Sequence, residues 1–131
     1  MGTTQPQQPL DIREVCIEES QFQKVNLNRS CFEDVSLAGA KLTNANLSDI
    51  EIEVAQLGGA YLHHIGMPPA DHPGYDPLAR QKPLRFEDCD LSGSTLTDCN
   101  LRGVELTGCI LTDMKINGIL VEELLAAYYR K

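Results

Sequence analysis

Large apolar residues recur along this chain at every fifth position. Ile12, Ile17, Phe22, Leu27, Phe32, Leu37, Leu42, Leu47, Ile52, Leu57 and Leu62 form a first run. Phe86, Leu91, Leu96, Leu101, Leu106, Leu111 and Ile116 form a second, one step out of phase with the first. Two residues before each stands a smaller or medium side chain, such as Val25, Ala40, Ala45 and Ala55, or Cys89, Cys99, Cys109 and Met114. On an α-helix a five-residue step advances each side chain by roughly 140°, scattering the large residues around the cylinder. In a straight strand the same step flips each one to the opposite face. Both conflicts vanish if the chain turns a corner in every repeat, with the large residue and its small partner inward and the other three outward. The residues after each large one suit such corners: Asn28-Arg29, Ala38-Gly39, Thr43-Asn44, Ser48-Asp49, Ser92-Gly93, Arg102-Gly103 and Thr107-Gly108. The pattern predicts an all-β solenoid of short strands.

Proline placement agrees with this. Pro6 and Pro9 precede the repeats, and Pro68, Pro69, Pro73, Pro77 and Pro83 lie between the two runs. A coil stacked on its neighbours needs its backbone N–H groups, which proline lacks. The expected organisation is one domain: a disordered tail over 1–10, repeats over 11–64, a Pro-rich loop over 65–83, repeats over 84–118 and a C-terminal helix over 119–131. In that last segment Leu120, Val121, Leu124, Leu125 and Tyr128 recur at helical spacing, with Glu122 and Glu123 early and Arg130 and Lys131 late. The helix is expected to cap the last coil and is the candidate interface of a homodimer.

Val25-Asn26-Leu27-Asn28-Arg29, Ala45-Asn46-Leu47-Ser48-Asp49, Cys89-Asp90-Leu91-Ser92-Gly93 and Cys99-Asn100-Leu101-Arg102-Gly103 resemble the A(D/N)LXX repeat of the pentapeptide-repeat family. The resemblance spans roughly residues 12–64 and 84–118. It implies a right-handed, four-sided parallel β-helix with four repeats to a coil, here about four to five coils, with one ejected loop. It says little about function, because members range from inhibitors of DNA gyrase to proteins of no known activity.

The 131 residues carry a net charge of −8, all of it on the repeats: residues 11–64 sum to −5 and 84–118 to −3. An acidic chain does not bind phosphate backbones directly. Four repeats per coil would stack residues twenty apart, at roughly 4.8 Å spacing. Asp11, Glu14, Glu33, Asp34, Glu51 and Glu53 would then share one face opposed only by Arg13, while Lys24, Lys41, Tyr61, His63 and His64 share another. The acidic face and the Pro-rich loop over 65–83 are the candidate contact surfaces for a protein partner. By the resemblance, an acidic solenoid can also mimic DNA and so inhibit, or protect, a topoisomerase such as gyrase.

The histidines are confined to one stretch. His63, His64 and His72, with Asp71, are the candidate metal ligands, imidazole and carboxylate being zinc-type donors. His63 and His64 are adjacent at a corner, which predicts diverging rings. Cys89, Cys99 and Cys109 fall on the small inward position, Cys16 and Cys31 outward, and the odd count without paired spacing argues for a reducing compartment rather than disulfides. No nucleotide loop, zinc-protease motif or nucleophile–base pairing is present. No apolar run is long enough to span a bilayer, and the N-terminus has no signal-peptide pattern. The reading is a cytoplasmic, non-enzymatic interaction or scaffold protein, with no catalytic residue, no cofactor and a partner the sequence does not identify.

Overall fold

A computed structural model describes residues 8–130. The tail expected over 1–10 lies mostly outside the described residues, as does Lys131. The chain divides into two units, residues 1–60 and 61–131.

In the first unit the backbone takes a left-handed φ at every fifth residue: Glu14, Glu19, Lys24, Arg29, Asp34, Gly39, Asn44, Asp49, Val54 and Gly59. Each lies two residues after a large apolar one, where the sequence called for a corner. The corners are of two alternating kinds. Those after Ile17, Leu27, Leu37, Leu47 and Leu57 are closed: the carbonyl of the large residue accepts from the N–H three residues on, at 2.8–3.3 Å. A positive φ confined to the third residue of such a turn is the pattern of a type II β-turn. At Glu14, Lys24, Asp34, Asn44 and Val54 the corner is an open bend. The structural repeat is therefore ten residues, two pentapeptides with unlike corners.

The second unit resumes the pattern. His64 carries a left-handed φ, as do Asp88, Gly93, Asp98, Gly103, Gly108, Asp113 and Gly118. Closed corners follow Leu91, Leu101 and Leu111, at 3.0–3.1 Å. Residues 65–83 contain no helix or strand. Three turns order them instead: Pro69 to His72, His72 to Tyr75 and Asp76 to Ala79, each closed by a backbone hydrogen bond. The Arg80 guanidinium donates to the carbonyls of Pro77 and Ala79.

The second unit ends differently from expectation. Strands β1 (Lys115–Ile116) and β2 (Ile119–Leu120) form an antiparallel hairpin across Asn117-Gly118. Both turn residues have positive φ, 49° and 82°, as a two-residue type I′ turn demands. Helix α1 (Val121–Tyr129) follows directly, two residues later than the sequence placed its start, because Ile119 and Leu120 are taken by the hairpin. Its first N–H is satisfied by the Met114 carbonyl at 2.9 Å, and Glu122 accepts from the Asp113 N–H at 3.2 Å. Helix and hairpin are thus tied to the last corner.

The parallel ladder implied by the resemblance is not among the described features, whose only sheet is the β1–β2 hairpin. Except for the half-buried Leu111, the fifth-position residues expected to be hidden are exposed, Leu47 by 46% and Leu101 by 51%. Val121, 8% exposed, is the buried apolar residue among those described. A filled core is thus not among the described features, and the division is physical. Corners are set by local dihedrals and i to i+3 hydrogen bonds, whereas hiding the large residues requires coil to stack on coil through non-local pairing.

Candidate functional site

The corners position the polar groups singled out in the repeats, while Asp71 and His72 lie in the loop between the two runs. At four of the eight closed corners described, Asn or Asp just before the large residue holds the turn. Asn26, Asn46, Asp90 and Asn100 each accept, through Oδ1, from the backbone N–H two residues on, at 2.9–3.0 Å. Asn46 also accepts from the Ser48 hydroxyl at 2.6 Å. This is an Asx-turn, the side chain replacing a backbone acceptor. It explains why the second place of the repeat favours Asn and Asp: these side chains are short enough to reach back. At Asp90 the same contacts, first the Ser92 hydroxyl and then its N–H, hold the carboxyl below its ordinary value.

In the second run the cysteines serve the open bends. The thiols of Cys89, Cys99 and Cys109 donate to the carbonyls of Glu87, Thr97 and Thr107, at 3.3, 3.4 and 3.6 Å. Each bond spans the left-handed residue, Asp88, Asp98 or Gly108. These weak donors supply a contact that the bend's backbone does not make. All five cysteines are free thiols.

The candidate interaction residues Asp11, Glu14, Glu33, Asp34, Glu51 and Glu53 are all exposed. Glu14 and Asp34 are the left-handed residues of open bends. Asp11 pairs with Arg13 at 2.8 Å, an exposed contact worth little in water. Of the candidate helix residues, Val121 is buried and Leu120 half-buried, while Leu124, Leu125 and Tyr128 are exposed on α1. Tyr128 and Tyr129 meet edge to face, with centroids 5.1 Å apart.

The four candidate metal ligands do not gather: among the described residues no three His, Cys, Asp or Glu side chains converge on one point. His72 is committed locally. Its Nδ1 accepts from the Gly74 N–H at 2.9 Å, which fixes the proton of the neutral ring on Nε2 and leaves no free lone pair. A Cβ on Gly74 would meet that nitrogen at 3.3 Å, so glycine permits the close approach. His63 and His64 depart from expectation in the other direction. Their rings converge, Nδ1 to Nδ1 at 3.0 Å, because the left-handed backbone of His64 turns its side chain toward its predecessor. Tyr61 stacks on His63 at 4.1 Å and 15°.

Sequence reasoning missed the Asx-turns, the Glu122 tether and the hairpin. The Asn-Gly pair was a legible signal for the last; nothing in the sequence pointed to Glu122. Among the described residues no helix is long and apolar enough to cross a membrane.

A family model for pentapeptide repeats matches eight copies over residues 17–53 and 85–119, more than half of the chain. No curated protein and no solved structure matches it. Proteins built from these repeats are generally non-enzymatic structural or interaction proteins, and within the matched segments the left-handed corner returns at every fifth residue. The chain belongs to the pentapeptide-repeat family.

Proposed function

We propose that this is a non-enzymatic protein-interaction or scaffold protein whose contact surface is the acidic side of the first repeat run. In the working form the repeats close into a right-handed, four-sided parallel β-helix of about four to five coils. Full burial of a leucine contributes roughly 1.5–3 kcal/mol, and the large apolar residue at every fifth place, exposed at all but Leu111, supplies that drive in nearly every repeat. Closure stacks residues twenty apart and so gathers Asp11, Glu14, Glu33, Asp34, Glu51 and Glu53. The observation that carries the reading is the exposure of all six carboxylates at corner and flanking positions, on repeats that hold the whole net charge of −8. The partner presents a basic surface, steered to this face by opposite charge. The five free thiols suit a reducing compartment, the cytoplasm. Helix α1, with Leu124, Leu125 and Tyr128 outward, caps the second run and offers a homodimer contact.

The test is capture of a host protein by the intact chain, repeated with Glu33→Lys, Asp34→Lys, Glu51→Lys and Glu53→Lys together. A genuine partner is retained by the native chain, lost by the charge-reversed one and released by salt. Retention by both removes the acidic surface from the account.

The sign of the charge also favours a second reading, a DNA mimic acting on gyrase or a related topoisomerase. A supercoiling assay decides it. Inhibition or protection that disappears in the charge-reversed chain supports mimicry, and no effect at large molar excess discards it.

A further inference from the structure

His64 occupies a left-handed corner, φ 56°, directly after His63, and both rings are exposed. Their Nδ1 atoms lie 3.0 Å apart with the ring planes at 76°. Two neutral imidazoles at that distance share one proton: one Nδ1 donates and the other accepts. The nearly parallel Tyr61 ring at 4.1 Å holds His63 in this orientation. Metal–imidazole bonds are about 2.0–2.1 Å long, so donors 3.0 Å apart subtend about 95° at an ion placed between them. That bite lies near the 90° between neighbouring positions of square-planar or octahedral coordination and short of the tetrahedral angle. Tetragonal sites of nitrogen and oxygen donors suit copper(II) and nickel(II).

We infer that His63 and His64 form a chelating pair for a divalent transition ion of the copper(II) or nickel(II) class. The ion takes the place of the shared proton, and water fills its remaining positions. The histidine that donated through Nδ1 moves its proton to Nε2, so both rings stay neutral and both Nδ1 lone pairs face the ion. Rotations about the side-chain bonds of the two residues aim them. His72 stays outside the site because the Gly74 N–H already occupies its Nδ1.

Nickel(II) is the probe, since it does not oxidise the five thiols. The full, reduced, nitrogen-15-labelled chain is titrated with nickel(II) chloride while the imidazole signals are followed by NMR. The paramagnetic ion broadens His63 and His64 first and leaves His72 sharp at the same concentration. Losing even an outer partner of a metal ligand costs about 10–100-fold in affinity. In His63→Asn, broadening of His64 therefore needs at least about tenfold more nickel. His64→Asn, which keeps a residue suited to the left-handed corner, has the same effect on His63. An unchanged Ala60 amide signal, at the neighbouring closed corner, shows that either variant is folded there. Equal broadening of all three histidines, broadening confined to His72 or the cysteines, or native-like broadening of the remaining ring in both variants overturns the inference.

Discussion

Val54 is the one β-branched residue at a left-handed corner among the described residues. It holds φ 52°, a conformation that crowds a β-branched side chain, and it is 99% exposed, so its side chain packs against nothing. A left-handed L-residue costs roughly 1–2 kcal/mol, which Val54→Gly removes. Glycine costs about 0.4–1 kcal/mol in added freedom of the unfolded chain. The net expectation is stabilisation by about 0.5–1 kcal/mol. Gly59, the next corner at φ 81°, is the mirror case. A Cβ placed there meets nothing within 4 Å, so Gly59→Ala is a purely conformational change and destabilises by a similar amount. With a urea slope of about 1.5 kcal/mol/M, the midpoints move by roughly 0.3–0.7 M in opposite directions. Urea unfolding followed by circular dichroism reads this, provided the slopes stay equal. If Val54→Gly destabilises while Gly59→Ala is neutral, these residues are not left-handed and the corner argument fails.

Three further outcomes follow from the same geometry. Asn46→Ala removes the acceptor for the Ser48 N–H and hydroxyl, a loss of about 1 kcal/mol that speeds hydrogen exchange at the Ile50 amide about fivefold, whereas Lys41→Ala at an open bend leaves it unchanged. Asp90 has a folded pKa below its ordinary value of 3.8, so its ionised form steadies the Ser92 corner; that contribution is complete above the ordinary value and is lost as pH falls through the folded one. The Ser92 amide shift therefore titrates in acid in the native chain and is flat in Asp90→Asn, whose amide oxygen accepts as those of Asn26, Asn46 and Asn100 do. Glu122→Ala frees the Asp113 amide and speeds its exchange about fivefold, a cost of about 1 kcal/mol, while Glu122→Gln, which keeps an acceptor oxygen, largely preserves protection.

What could be read in advance was what is local. Asn44, Asp49, Gly93 and Gly108 mark corners by their own conformational preference, and all four are left-handed. Val54 and Lys24 carry no such preference, yet they turn too, so the five-residue step predicted them where residue type did not. The second place of the repeat accounts for four closed corners, where Asn26 or Asp90 accepts from the backbone, but not for the alternation itself, since Ser36 and Gln56 precede closed corners and Asp11 an open one. The Asn117-Gly118 hairpin was legible but was absorbed into the repeat, since Ile116 keeps the step of five up to the turn. The meeting of His63 and His64 was misjudged because neighbouring side chains diverge on an extended backbone, and only the positive φ of His64 reverses that. Coil closure depends on pairing between distant residues, which no single repeat encodes.

The most direct measurement is a residue-by-residue determination of φ by solution NMR across residues 12–64 and 84–118, using the short intraresidue amide-to-Hα distance that marks a positive φ. The account predicts that mark at Glu14, Glu19, Lys24, Arg29, Asp34 and each fifth residue to His64, then from Asp88 to Gly118 at the same step. Negative φ throughout these residues, or helical values across 17–53, would contradict it.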